Sequence, residues 1–99
     1  MDKILGSKGK QIKINIAIVP GEVLREELEA RNLTQTAFAI KIGFCPSHFS
    51  EVLNGKRRLN ASMALKLEKE LEISADFWVG LQAYYELSKE REKYAETQG

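Results

Sequence analysis

Cysteine and histidine are nearly absent from this sequence, each occurring once, at Cys45 and His48. A lone cysteine forms no internal disulfide, and one cysteine with one histidine builds no zinc cage. Long apolar runs are missing as well. None exceeds four residues, as in Ile16-Ala17-Ile18-Val19, where a membrane span needs about 20. The first residues carry neither the apolar stretch nor the small-residue cleavage site of a secretory signal. These absences set the expectation of a reduced, cytoplasmic protein with no metal, no cofactor and no membrane partner. What is present is 99 residues, 43% hydrophobic and 29% charged, the proportions of one soluble globular domain.

The net charge of +1 hides an uneven layout. Residues 1–19 carry four lysines against one aspartate, and residues 61–99 carry five basic against eight acidic groups. Between them Lys56, Arg57 and Arg58 stand in succession. Phosphates respond to local rather than net charge, so this basic spot among acidic segments is compatible with nucleic-acid binding.

Met1–Gln11 reads as a flexible polar arm or, in part, a cloning remnant. Its Gly9-Lys10 is no Walker A loop, because Gln11 stands where Ser or Thr is required. Ile12, Ile14, Ile16 and Ile18 then alternate with Lys13, Asn15 and Ala17, which is a strand signal over 12–19. No second strand of that quality follows. Three outcomes stay open for the segment: packing on its own helices, pairing with a second copy or a partner's sheet, or disorder.

From Pro20 onward the pattern is helical, and the expected fold is all-α, five helices preceded by the short extended segment. Pro20 opens a first helix with Val23, Leu24 and Leu28 inward, ending near Asn32. Thr34 caps a second, with Phe38, Ala39 and Ile42 inside and Gly43 as its stop. A third runs from about Pro46 to Leu53, closed by Asn54-Gly55. Asn60 or Ser62 starts a fourth, with Ala64, Leu67 and Leu71 on one stripe. Ser74 caps a fifth carrying Phe77, Trp78, Leu81, Tyr85 and Leu87. The helical domain spans 20–88, and residues 89–99 form a polar helix end or tail.

The stretch from Thr34 to Asn54 has the spacing of a helix-turn-helix. Ala39 suits a close crossing of two helices, and Gly43 suits a turn of positive φ. With Phe44, Phe49 and Val52 pinning the third helix, Pro46, Ser47, His48, Ser50 and Glu51 are left for a major groove. Gln35, with Thr36 beside it, opens the second helix where backbone N–H groups favour phosphate. Asn54 joins it as a phosphate-positioning group, and Lys56, Arg57 and Arg58 follow where the DNA backbone passes.

Pro20-Gly21-Glu22-Val23-Leu24-Arg25-Glu26-Glu27-Leu28, Leu33-Thr34-Gln35, Leu53-Asn54-Gly55-Lys56-Arg57, Ala75-Asp76-Phe77-Trp78 and Leu81-Gln82-Ala83 with Tyr85 and Leu87 together resemble the HigA-type antitoxins. These belong to the lambda-repressor-like (XRE) helix-turn-helix class, and the match runs over about Pro20–Leu87. The resemblance implies an antitoxin of a type II toxin–antitoxin pair. It would bind and neutralise a RelE-like, HigB-type mRNA-cleaving toxin and, as a homodimer on double-stranded operator DNA, repress its own operon. The alternative is a stand-alone regulator of phage type without a toxin.

One departure matters for specificity. Pro46, Ser47 and Glu51 offer none of the bidentate pairs that read guanine or adenine strongly. His48 is the best donor on that face, and readout should lean on backbone contacts and DNA shape. No catalytic role is expected, since Ser47, Ser50 and His48 lack an orienting carboxylate. Cys45 reads as the occupant of a capping position, with redox sensing as the alternative. So small a domain struggles to bury every aromatic. Trp78, Leu81, Tyr84 and Tyr85 are therefore expected at a dimer or partner interface, together with Ile12, Ile14, Ile16 and Ile18, while Phe77 completes the core.

Overall fold

The computed structural model describes residues 18–98. They form five helices, α1 (Pro20–Ala30), α2 (Gln35–Ile42), α3 (Pro46–Leu53), α4 (Ala61–Leu71) and α5 (Ala75–Gln98), and no strand among the described residues. Ile12, Ile14 and Ile16 of the alternating segment lie outside the described residues, and Ile18, next to the extended Val19, is exposed.

Each helix boundary has a local cause. Pro20 fixes the first turn of α1, where its missing N–H costs nothing. The helix ends where Asn32 turns left-handed (φ 59°), letting the Leu33 N–H reach the Leu28 carbonyl at 2.8 Å. In α2 the Thr34 hydroxyl accepts the Ala37 N–H at 3.2 Å, and Gly43 closes the helix at φ 83°. The Asn60 side chain caps α4 through the Met63 N–H at 2.9 Å. Ser74 starts α5 by accepting the Asp76 N–H, and Glu68 reaches across from α4 to accept the Ala75 N–H at 2.8 Å.

The inward stripes meet in one core. Leu24 and Leu28, Phe38 and Ile42, Phe49 and Val52, Met63, Leu67 and Leu71 are all buried, with Leu59 closing the gap before α4. Ala39 is fully buried, as a close passage of α2 requires.

Two aromatic expectations exchange places. Trp78 is 0% exposed, so it belongs to the core and is removed from the partner interface. Phe77 is 45% exposed and stands outside the core. The cause is helical phase: Ala75, Trp78 and Gln82 share the inner face of α5, and Phe77, one residue from Trp78, faces away. Leu81 and Tyr85 are half-buried at the margin, and Tyr84 is exposed. The last helix also continues through residues 89–98, with 89–95 exposed.

Candidate nucleic-acid interface

The position of α3 is set by backbone contact before any side chain. A Cβ on Gly21 would collide with the carbonyl oxygens of Val52 and Leu53, so α1 crosses the end of α3 at a distance only glycine permits. From the other side, Phe38 of α2 packs on Phe49, ring centroids 5.8 Å apart. Phe49, Val52 and Leu53 are consumed by this seating. What remains outward on and just after α3 is Pro46, Ser47 and Asn54, exposed, with His48, Ser50 and Glu51 half-buried.

Several of these side chains are held. His48 lies edge-on to Phe44 at 5.5 Å, and the Lys66 ammonium stands 6.0 Å from the other partner of that pair, the Phe44 ring. Cys45 is the residue before α3, with its sulfur 3.2 Å from the Ser47 hydroxyl. The Ser47 hydroxyl first, then the backbone N–H groups of His48 and Ser47, hold the Cys45 thiol below its ordinary pKa. Gln35 is half-buried at the first position of α2, and Thr36 beside it is exposed.

The three consecutive cations are not equivalent. Arg57 folds back on α3 and pairs with Glu51, its Nε 2.9 Å and Nη2 2.7 Å from one carboxylate oxygen. This pairing offsets the acidic charge of Glu51 on the outward side of α3. Arg58 turns to α5 and grips both oxygens of Glu86, at 2.8 and 3.3 Å. The Arg58 hydrogen bonds, then one from the Gln82 amide at 2.9 Å, hold the Glu86 carboxyl below the usual carboxylate range. Lys56 is exposed and makes no ion pair among the described residues.

Sequence reasoning missed the side chains that organise this end of the molecule. Gln82 is the one buried polar side chain among the described residues, and its carbonyl oxygen accepts the Leu59 N–H at 2.9 Å. It thereby ties the segment carrying the three cations to α5. The Leu-Gln-Ala triplet was visible in the sequence, but the long-range partner of its glutamine was not. Arg25 on α1 was equally silent: its guanidinium donates to the Asn54 side-chain oxygen at 2.7 Å and to the Leu53 carbonyl at 3.3 Å. A cleft of about 200 Å³ lies beside this network, bounded by Val19, Val52, Gly55, Lys56, Arg58 and Tyr85.

Among the described residues, no helix is long and apolar enough to cross a membrane. No group of three or more His, Cys, Asp or Glu side chains is placed there to hold a metal ion.

The helix-turn-helix family model matches residues 24–78, which spans α2, α3 and α4 with most of α1 and the start of α5. Virulence-associated protein A′ of Dichelobacter nodosus is 36% identical over 78 residues, covering 78% of this chain and 68% of its own length. The HTH-type transcriptional regulator YddM of Escherichia coli is 35% identical over 70 residues, covering 71% and 74%. Among solved structures, the Pseudomonas aeruginosa antitoxin HigA with the higBA promoter superposes with a TM-score of 0.78 at 28% identity, over 83% of this chain and 90% of that one. The last two are, by name, a transcriptional regulator and an antitoxin. The chain belongs to the helix-turn-helix family, as a HigA-type member of its XRE class.

Proposed function

We propose that this protein is an antitoxin that represses its own operon, binding operator DNA as a two-fold dimer and neutralising a RelE-like, HigB-type toxin. The observation that carries the DNA half is the outward face of α3, seated from behind by Gly21 and Phe38 and flanked at its end by Lys56, Arg57 and Arg58. Ser47, His48 and Glu51 meet base edges, while Gln35, Thr36, Asn54 and the cations meet the phosphates. Because Arg57 is shared with Glu51 and Arg58 with Glu86, Lys56 supplies the charge that is free beforehand. The two arginines exchange a carboxylate for a phosphate on docking.

The dimer assigns a role to the second apolar face of α5. Phe77, Gly80, Tyr84 and Leu87 recur at three- and four-residue spacing, with Tyr94 seven residues further on, all exposed. Gly80 costs about 1 kcal/mol inside a helix, and a Cβ there would meet nothing. A glycine at that point lets a second α5 approach closely. Two such copies set their α3 helices into successive major grooves, about 34 Å apart.

A stand-alone regulator is the second reading, favoured by the naming of its E. coli relative as a transcriptional regulator. Co-expression with the neighbouring gene product, followed by a gel shift on the DNA upstream of this gene with and without that product, separates the two. Co-purification of a small basic protein is expected for the antitoxin. A shift without any bound neighbour leaves the regulator alone standing, and no shift at all removes both.

A further inference from the structure

A half-buried cation with no counter-charge needs an explanation, and Arg25 is one. Among the described residues no carboxylate pairs with it; its acceptors are two neutral oxygens at the end of α3, Asn54 Oδ1 at 2.7 Å and the Leu53 carbonyl at 3.3 Å. A guanidinium has donors only. It therefore fixes which way the Asn54 amide faces: oxygen toward Arg25, nitrogen away. The Asn54 Nδ2 in turn lies 3.5 Å from the Ser50 hydroxyl oxygen, at the long end of a hydrogen bond. A hydroxyl that accepts from Asn54 has its own proton left to give.

We infer that Arg25 is a positioning residue for DNA recognition, setting the direction of a chain that runs Arg25 to Asn54 to Ser50 so that Asn54 and Ser50 both face the duplex as donors. The inference rests on the DNA reading of α3 and adds what that reading lacks. A phosphate oxygen, or the acceptor edge of guanine or thymine, matches this end of α3. A base that presents a donor there does not. In this arrangement Arg25 spends its donors on Asn54 and Leu53 rather than on the duplex.

The test is a double-mutant cycle with Arg25→Met and Asn54→Ala in the full chain. The probe is a duplex of about 30 base pairs from directly upstream of this gene, roughly three helical turns. Asn54→Ala and Arg25→Met are each expected to weaken binding about tenfold, the size of one misdirected hydrogen bond. Together they should weaken it no further, because Arg25 acts through Asn54. The dependence of log affinity on log salt should keep its slope in Arg25→Met, and Arg25→Lys should regain most of the lost affinity. Additive losses, or a slope lowered by about one as for a direct phosphate contact, overturn the inference while leaving the DNA reading intact. A wild-type chain that binds neither this duplex nor a shuffled one removes both. Should Arg25→Met fail to fold, Asn54→Asp replaces it. That variant keeps an acceptor for Arg25 but has no donor, so it should melt no lower than wild type and bind more weakly; undiminished binding overturns the inference.

Discussion

Replacing Gln82 by methionine tests the joint between α5 and the cationic segment. Methionine has nearly the length of glutamine and fills the same space, but accepts no hydrogen bond of consequence. The Leu59 N–H, on a residue 1% exposed, is then left without its partner at 2.9 Å. A buried donor stranded in this way costs about 1–3 kcal/mol. The second bond lost, from the Gln82 amide to Glu86, is only part-buried and ends on a carboxylate that Arg58 still holds, so it adds less. For a domain of this size each kcal/mol moves the midpoint by about 4–8 °C, so a fall of roughly 5–20 °C is expected. Trp78, the one tryptophan in the chain and 0% exposed, reports the transition by fluorescence, and far-UV circular dichroism gives an independent probe. Urea titration should show a lower midpoint with an unchanged slope. A Gln82→Met variant within about 0.5 kcal/mol of wild type, inside the scatter of neutral surface changes, refutes the view that Gln82 secures the segment.

Other outcomes follow from single contacts. Gly21→Ala should destabilise strongly, because the new methyl meets the Val52 and Leu53 carbonyls and α3 must move; a melting point equal to wild type contradicts the close crossing. Glu86 is held below its ordinary pKa, chiefly by Arg58, so its contribution is present above that ordinary value and fades as pH falls through the folded one. The gap in melting temperature between wild type and Glu86→Gln should stay level near neutrality and close below about pH 4; a gap that widens in acid refutes the pairing. Cys45, exposed with its thiol lowered, should react with iodoacetamide faster in the folded protein than in urea, and a slower folded-state reaction counts against the Ser47 contact.

The sequence disclosed the parts of this molecule that depend on neighbours close along the chain. The caps Thr34 and Asn60, the stop at Gly43 and the inward stripes of α1 to α4 all sit where local rules place them. Adjacent aromatics defeated those rules. Phe77 and Trp78 are both apolar, and only the packing of α5 against α4 and α1 decides which one turns inward. Gly21 gives no periodic signal of its own, and its purpose is a backbone crossing with residues 31 and 32 positions away in sequence. The outward residues of α3 were legible from the helix-turn-helix spacing. The commitment of Asn54 to Arg25 was not, since a hydrogen bond between distant helices leaves no periodicity to detect.

Gly21 has a consequence for how recognition in this chain is altered. Because α3 is aimed by main chain lying on main chain, its heading does not depend on what Ser47, His48 or Glu51 happen to be. On the proposed DNA reading, substitutions at those three places exchange one sequence preference for another without re-tilting the helix. Drift in operator sequence, or its deliberate reprogramming in the laboratory, then requires only a change of lettering on a fixed frame.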